Sequence, residues 1–228
     1  IEIGDRGGVP VEIYHLKAGG QRNWDKAALA IAKIDSARAA GVDVQANMYP
    51  YVAGSTGLTA CFPPSASADG KLFDNLADSE ARALIREEIE NQQEVWESFC
   101  TLATPAGVLI LGLDKPENQK YTGRYLDDIA AEMGKDWIDT AMDLVLDERQ
   151  RVGTVYFLMS EENVALQMQQ PWMKFGTDAG GVNPETTRAL VHPRSYGTYP
   201  RILGRYVREQ GVLPLEEAVR KMSSAVAT

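Results

Sequence analysis

The sequence predicts an α/β fold built on parallel strands, and three features carry that reading. Residues 1–49 run as a β-branched segment, a helical stripe and a second β-branched segment, the order of a βαβ unit. Further on, the apolar run from Trp172 to Phe175 leads through Gly176 and Thr177 to Asp178, so a carboxylate stands at a strand end with Ala179, Gly180 and Gly181 opening space behind it. Val191 to Arg201 then gathers His192, Arg194, Tyr196, Tyr199 and Arg201 in a segment punctuated by Pro193, Gly197 and Pro200, which reads as a polar loop. A strand that delivers an acid to its C-terminal end beside such a loop is how (β/α) enzymes build their sites. A lone strand-end Asp more often caps a turn. The cations and aromatics beside Asp178 lift the functional reading above that one.

Taken in order, Val9 to His15 is a short buried strand followed by Lys17 and Gly19-Gly20. Asn23 can cap the next helix, whose stripe is Trp24, Ala27, Ala28, Ile31 and Ile34, with Gly41 where a left-handed terminator belongs. Val42 to Tyr49 is the second strand. Tyr49 to Gly57 is rich in turn formers and reads as a loop, and Cys61 to Gly70 continues as irregular chain. A helix is predicted from about Ser79, with Ile85, Ile89, Trp96 and Phe99 on one face. Gly107 to Gly112 is a strand. Tyr125, Leu126, Ile129 and Met133 form a stripe stopped by Gly134, and Asp136 caps a helix that turns Trp137, Ala141, Leu144 and Val145 inward. Val152 to Met159 is a strand, Ser160 caps an acidic-start helix to about Met168, and Pro171 ends it. Beyond the polar loop, Ile202, Leu203, Tyr206 and Val207 make a helix. Pro214 opens another, with Leu215, Val219 and Met222 inward. Roughly a hundred residues separate the second strand from the next parallel element, longer than ordinary connections. An inserted subdomain at about 60–120 is therefore expected.

Composition narrows the function. The 228 residues are 44% hydrophobic and 24% charged, with a net charge of −9, which argues against a nucleic-acid or anionic-membrane surface. No apolar run is long enough to span a bilayer. Ile1 is not a start methionine and Thr228 breaks off a helix-like pattern, so the chain reads as an excerpt of a longer protein. Cys61 and Cys100 match no zinc or redox spacing and are expected to be reduced thiols, in a cytoplasmic protein.

The candidate chemistry lies at strand ends. The chain has two histidines, His15 and His192, both expected with Asp178 on one face of the sheet. Imidazole and carboxylate from different strand ends suit a divalent metal, zinc above all, given further ligands. No GxGxxG, P-loop or Gly-x-Ser-x-Gly occurs, and Gly54-Ser-Thr-Gly57 lacks a strand-to-helix elbow.

These residues fall in motifs that resemble the metal-dependent N-acyl-D-amino-acid deacylases of the amidohydrolase superfamily. The motifs are Tyr14-His-Leu-Lys-Ala-Gly19, Tyr49-Pro-Tyr-Val-Ala-Gly-Ser-Thr56, Met159-Ser-Glu-Glu-Asn-Val164, Gly176-Thr-Asp178 and His192-Pro-Arg-Ser-Tyr-Gly-Thr-Tyr-Pro-Arg201. The resemblance implies the C-terminal part of a (β/α)₈ TIM barrel with an insertion over its mouth, and Zn²⁺ as cofactor. It implies His15 as a metal ligand on the sixth strand, and Asp178 on the eighth as metal-proximal general base. Lys17, Tyr49, Ser55 and Arg194 would hold the carboxylate or acyl carbonyl of a small-molecule substrate, an N-acyl-D-amino acid. The family's first-strand His-x-His, bridging ligand and fifth-strand His are absent and would precede Ile1. Whether the Tyr49 or the Val152 strand is the seventh stays open. A cyclic amidohydrolase such as a hydantoinase or dihydroorotase is the nearest alternative, and a non-catalytic remnant the next.

Overall fold

The computed structural model describes residues 1–91, 96–187 and 189–227, so Thr228 and its expected helical continuation lie outside the described residues. The chain forms two compact units. The first comprises Ile1–Val52, Met159–Asn183 and Pro193–Thr228; the second comprises Ala53–Leu158 and Pro184–His192.

In chain order the first unit opens with α1 (Glu2–Gly7), β1 (Val11–Ile13), α2 (Lys26–Ala39) and β2 (Val44–Met48). The second unit follows with β3 (Ala53–Gly57), α3 (Leu72–Ala77), α4 (Ser79–Glu90), α5 (Phe99–Ala103), β4 (Val108–Ile110), α6 (Leu126–Met133), α7 (Trp137–Glu148) and β5 (Gly153–Phe157). The chain returns to the first unit through α8 (Glu161–Met168), β6 (Met173–Phe175), α9 (Arg194–Arg201), a π-helical segment (Ile202–Glu209), α10 (Leu215–Met222) and α11 (Ser224–Ala227).

The first unit is α/β, as the sequence predicts. Its sheet runs β1-β2-β6, and both pairings are parallel. Side chains alternate across a strand. One face therefore buries Val44, Ala46, Met48, Met173 and Phe175 among Ile31 and Ile34 of α2, Val164 and Met168 of α8, and Tyr206. Each of the larger aliphatic and Phe or Met side chains among them contributes about 1.5–3 kcal/mol when removed from water. The opposite face carries Glu12, Asn47 and Lys174, joined by hydrogen bonds.

The second unit holds an antiparallel sheet, β3-β5-β4. The sequence predicts a loop where β3 stands. Ala-Gly-Ser-Thr-Gly lacks the β-branched signature, yet every residue from Ala53 to Gly57 pairs with β5, because cross-strand partners override local preference. Gly57 fits there because a Cβ would come within 2.8 Å of Arg151 Cβ. The Val152 strand is thus β5, antiparallel in this sheet, whereas the strand before Tyr49 lies between β1 and β6. Among the described residues the six strands make two three-stranded sheets and no closed barrel.

Three helix ends follow the expected chemistry, whereas Asn23 does not cap α2, whose N-cap is Asp25 without a side-chain bond, and instead donates to the Gly19 carbonyl. Asp136 accepts from the N–H groups of Ile138 and Asp139, Ser160 from Asn163, and Gly134 closes α6 at φ 65°. Four further expectations are corrected. First, α4 stops at Glu90; residues 92–95 lie outside the described residues, and Phe99 opens α5, capped by Ser98. Second, Cys61 and Cys100 are not free thiols but a disulfide with Cα atoms 5.0 Å apart, since the fold brings the end of one short helix against the start of α5. Third, the expected loop after His192 is α9. Pro193 precedes its first residue, where a proline is tolerated, and Pro200, lacking an N–H, is followed by widening into the π-helical turns. Fourth, α10 buries Ala218 and Lys221, while Leu215 and Val219 are 54% and 50% exposed.

Candidate active site

Three parallel strands end side by side, and each delivers a polar residue just past its C-terminal end. His15 follows β1, Tyr49 follows β2 and Asp178 follows β6. The backbone bends sharply at two of these points, with φ 41° at His15 and φ 50° at Asp178. A non-glycine residue in the left-handed region costs about 1–3 kcal/mol and persists where surrounding contacts impose it.

The contacts at Asp178 are charged and short. Its Oδ2 lies 2.6 Å from Arg194 Nη1, and its Oδ1 accepts from the Tyr14 hydroxyl at 2.5 Å. Arg194, the first residue of α9, also lays its guanidinium over the Tyr49 ring, 4.8 Å from the centroid. Lys17 Nζ stands 4.6 Å from the same centroid. The structure therefore brings Lys17, Tyr49, Asp178 and Arg194 into one cluster. His15 adjoins it through Tyr14, whose ring centroid is 4.4 Å from that of His15.

Burial sets the proton affinities. It pulls the Lys17 ammonium down to about 8, against the opposing pull of the Asp178 carboxylate. It pushes the Tyr49 phenol up to about 12, against the Arg194 charge, so Tyr49 stays a proton donor across the neutral range. The hydrogen bond to Asp178 raises Tyr14, helped by desolvation.

Ser55 and His192 belong to the second unit. Ser55, on β3, donates to the Thr154 carbonyl, and the His192 ring, 3% exposed, lies 2.9 Å from the Ala53 carbonyl. His192 is thus an anchor of β3 within that unit.

Sequence reasoning passes over Tyr14 and the support beneath Tyr49. Arg201 donates to the Pro50 carbonyl at 2.7 Å and to Glu161 at 2.8 Å, and Tyr206 donates to the other oxygen of Glu161 at 2.6 Å. Tyr51 packs so closely over Gly197 that an added Cβ would collide with its hydroxyl. The signal for Tyr14 is its place beside His15; nothing local marks Arg201 as the residue that fixes the Pro50 turn.

As a metal centre the described residues are incomplete. No three His, Cys, Asp or Glu side chains among them gather around one point. His15 and Asp178 offer two donors where zinc takes about four, and both Asp178 oxygens are already engaged.

Polar residues at the carboxyl ends of adjacent parallel strands are how (β/α) enzymes build their sites, and several known proteins are similar to the chain. No family model matches it. It is 33% identical over 225 residues to the D-aminoacylase of Alcaligenes xylosoxydans xylosoxydans, covering 99% of this chain and 36% of that protein. An N-acyl-D-glutamate deacylase from Bordetella bronchiseptica, solved with zinc and a phosphonate inhibitor, matches with a TM-score of 0.70 and 29% identity, over 99% of this chain and 37% of that one. A D-aminoacylase studied for its binuclear metal centre matches with a TM-score of 0.69 and 31% identity, over the same shares. Along its whole length, then, the chain is similar to N-acyl-D-amino-acid deacylases. It spans little more than a third of theirs.

Proposed function

We propose that this chain is the C-terminal part of the (β/α)₈ barrel of a zinc-dependent N-acyl-D-amino-acid deacylase. In this reading β1, β2 and β6 are its sixth, seventh and eighth strands, with an insertion at about 60–120. The observation that carries it is the Lys17–Tyr49–Asp178–Arg194 cluster at adjacent strand ends, in a chain that aligns with deacylases over 99% of its length. A deacylase is favoured over a cyclic amidohydrolase because the relatives named above are deacylases.

His15 and Asp178 would hold the metal together with donors outside this segment. When bound, a divalent ion supplies the positive charge that lowers the pKa of a water and polarises an amide carbonyl. The remaining work falls to this chain. Arg194 grips the substrate's α-carboxylate in a bidentate pair, exchanging its present partner for the ligand and freeing Asp178 Oδ2. Lys17, still cationic at neutral pH, adds to that anionic subsite. Asp178 takes a proton from the attacking water and passes it to the departing nitrogen, so the C–N bond breaks to give a carboxylate and a D-amino acid. Tyr49, held protonated, donates to the amide oxygen as negative charge develops there.

The test is turnover of N-acetyl-D- and N-acetyl-L-amino acids by the full-length protein carrying this segment, with and without Asp178→Asn. Turnover of the D-isomer is expected to fall by at least ~10²-fold in the variant, the loss associated with a general base. Near-normal kcat in Asp178→Asn sinks its role, and turnover of a hydantoin in place of the acyl amino acid sinks the substrate class.

A further inference from the structure

The polar face of the β1-β2-β6 sheet, opposite the one packed on α2 and α8, carries a network outside the substrate cluster. Asn47 lies on the central strand. Its Nδ2 donates to Glu12 Oε1 at 2.9 Å, and Glu12 Oε2 accepts from Lys174 Nζ at 3.3 Å. The remaining half of the Asn47 amide is turned toward the end of β1, where Oδ1 accepts the His15 backbone N–H at 2.8 Å. The main-chain carbonyl of the same residue accepts the Leu16 N–H, also at 2.8 Å. One residue thus takes two consecutive amides of the bend that throws His15 into the left-handed region. Glu12 can only accept from an amide, so it dictates which way Asn47 faces, and Lys174 balances the charge that Glu12 brings.

We propose that Asn47 is a positioning residue for His15, oriented by Glu12 and Lys174, and that this network sets where the His15 imidazole stands. Tyr14 rides on the same bend, so its hydrogen bond to Asp178 depends on the same support. An aliphatic side chain at position 47 would leave the His15 amide without its acceptor and the bend without its tether. Two parts of the idea separate. The placement of His15 stands on the contacts just described, whereas its consequence for a bound metal rests on the ligand role proposed above.

Three variants of the chain test it by amide hydrogen exchange and by the imidazole ¹⁵N spectrum of His15. Asn47→Leu should accelerate exchange at His15 and Leu16 by tenfold or more, about the effect of one hydrogen bond, and shift the His15 ring resonances. Asn47→Asp alone should behave likewise, because the new carboxylate faces Glu12. Adding Glu12→Gln should restore exchange to within about threefold, since a glutamine amide can donate to that carboxylate while it still accepts from His15. Unchanged His15 exchange and ring resonances in Asn47→Leu overturn the proposal. If Asn47→Leu fails to fold, the decision falls to the paired variant, and no recovery there overturns it equally. Zinc titration of His15→Ala answers the other question: unaltered affinity removes the ligand reading and leaves the exchange result to judge the positioning.

Discussion

The contact between Arg194 and Asp178 predicts a large, non-additive effect on stability. The side chains are 11% and 20% exposed and their charged atoms stand 2.6 Å apart, so water screens the pair little. Two unit charges at about 4 Å in an effective dielectric near 20 attract by roughly 4 kcal/mol, which sets an upper scale. Arg194→Met leaves a carboxylate 20% exposed whose remaining hydrogen bond in the cluster comes from Tyr14, with the Lys17 charge nearby. Breaking such a pair typically costs about 3–5 kcal/mol. The Tyr14 hydrogen bond offsets part of this, so a loss of roughly 2–3 kcal/mol is expected. Asp178→Asn removes the anionic partner of the guanidinium, which keeps its contact with Tyr49, and should cost a similar amount. With both changes neither charge is stranded, so the double variant should lose about 2 kcal/mol less than the sum of the two single losses. Urea denaturation followed by the fluorescence of Trp24 and Trp172, both in the first unit, measures all four proteins. Additivity within about 0.5 kcal/mol would refute the claim that the pair is shielded and coupled.

Two further predictions come from groups away from that cluster. Burial pulls the Lys221 amine down to about 8, although it donates to the Met168 and Gln170 carbonyls. Its pKa falls below the unfolded value near 10.5, so the folded state binds its proton less tightly, and stability rises with pH between about 8 and 10.5 and is flat in this term below 8. Midpoints of the wild type and Lys221→Met across that window should therefore diverge; parallel profiles would refute it. The Cys61–Cys100 disulfide closes a sequence separation of 39 residues, for which chain entropy alone predicts about 4 kcal/mol. Replacing both cysteines with alanine should lower the stability of the second unit by up to that amount. Two titratable thiols in the unreduced, unfolded chain would show that the bond does not form.

Three helix ends were legible because their chemistry is local: Asp136, Ser160 and Gly134 each act within a few residues of themselves. The parallel order of the first unit was legible because β1, α2 and β2 form one contiguous unit. What escaped depends on partners distant in sequence. Ala53 to Gly57 has no strand signature of its own and becomes β3 only against β5. The cysteines show no spacing rule, and only the fold brings them together. On α10 the apolar stripe of Leu215 and Val219 suggested the buried face, yet Lys221 is the residue wholly enclosed, its stem packed and its amine spent on carbonyls. At the candidate site, strand-end position pointed to His15 and Asp178, while the family resemblance implied Lys17, Tyr49, Ser55 and Arg194, of which Ser55 stands instead on β3, donating to the Thr154 carbonyl. Tyr14 and Asn47 carry no such mark, because their importance lies in which atoms they meet across the sheet.

The chain leaves the first unit after Val52 and re-enters it at Met159, and the Met159 N–H donates to the Val52 carbonyl at 2.9 Å. Within the second unit, β3 and β5 pair from Ala53 opposite Phe157 onward. More than a hundred residues are therefore inserted between two points of the first unit that already touch. Along the chain that excursion enters and leaves at one place, as a hairpin does, so its length can change without moving either point, provided the pairing with Pro184–His192 in the second unit is kept. Loop-closure entropy grows only slowly with length, so such a graft is cheap to vary. The Val52–Met159 contact is thus a natural splice point, at which evolution or an engineer can vary the length of the insertion while the path from β2 to α8 stays the same.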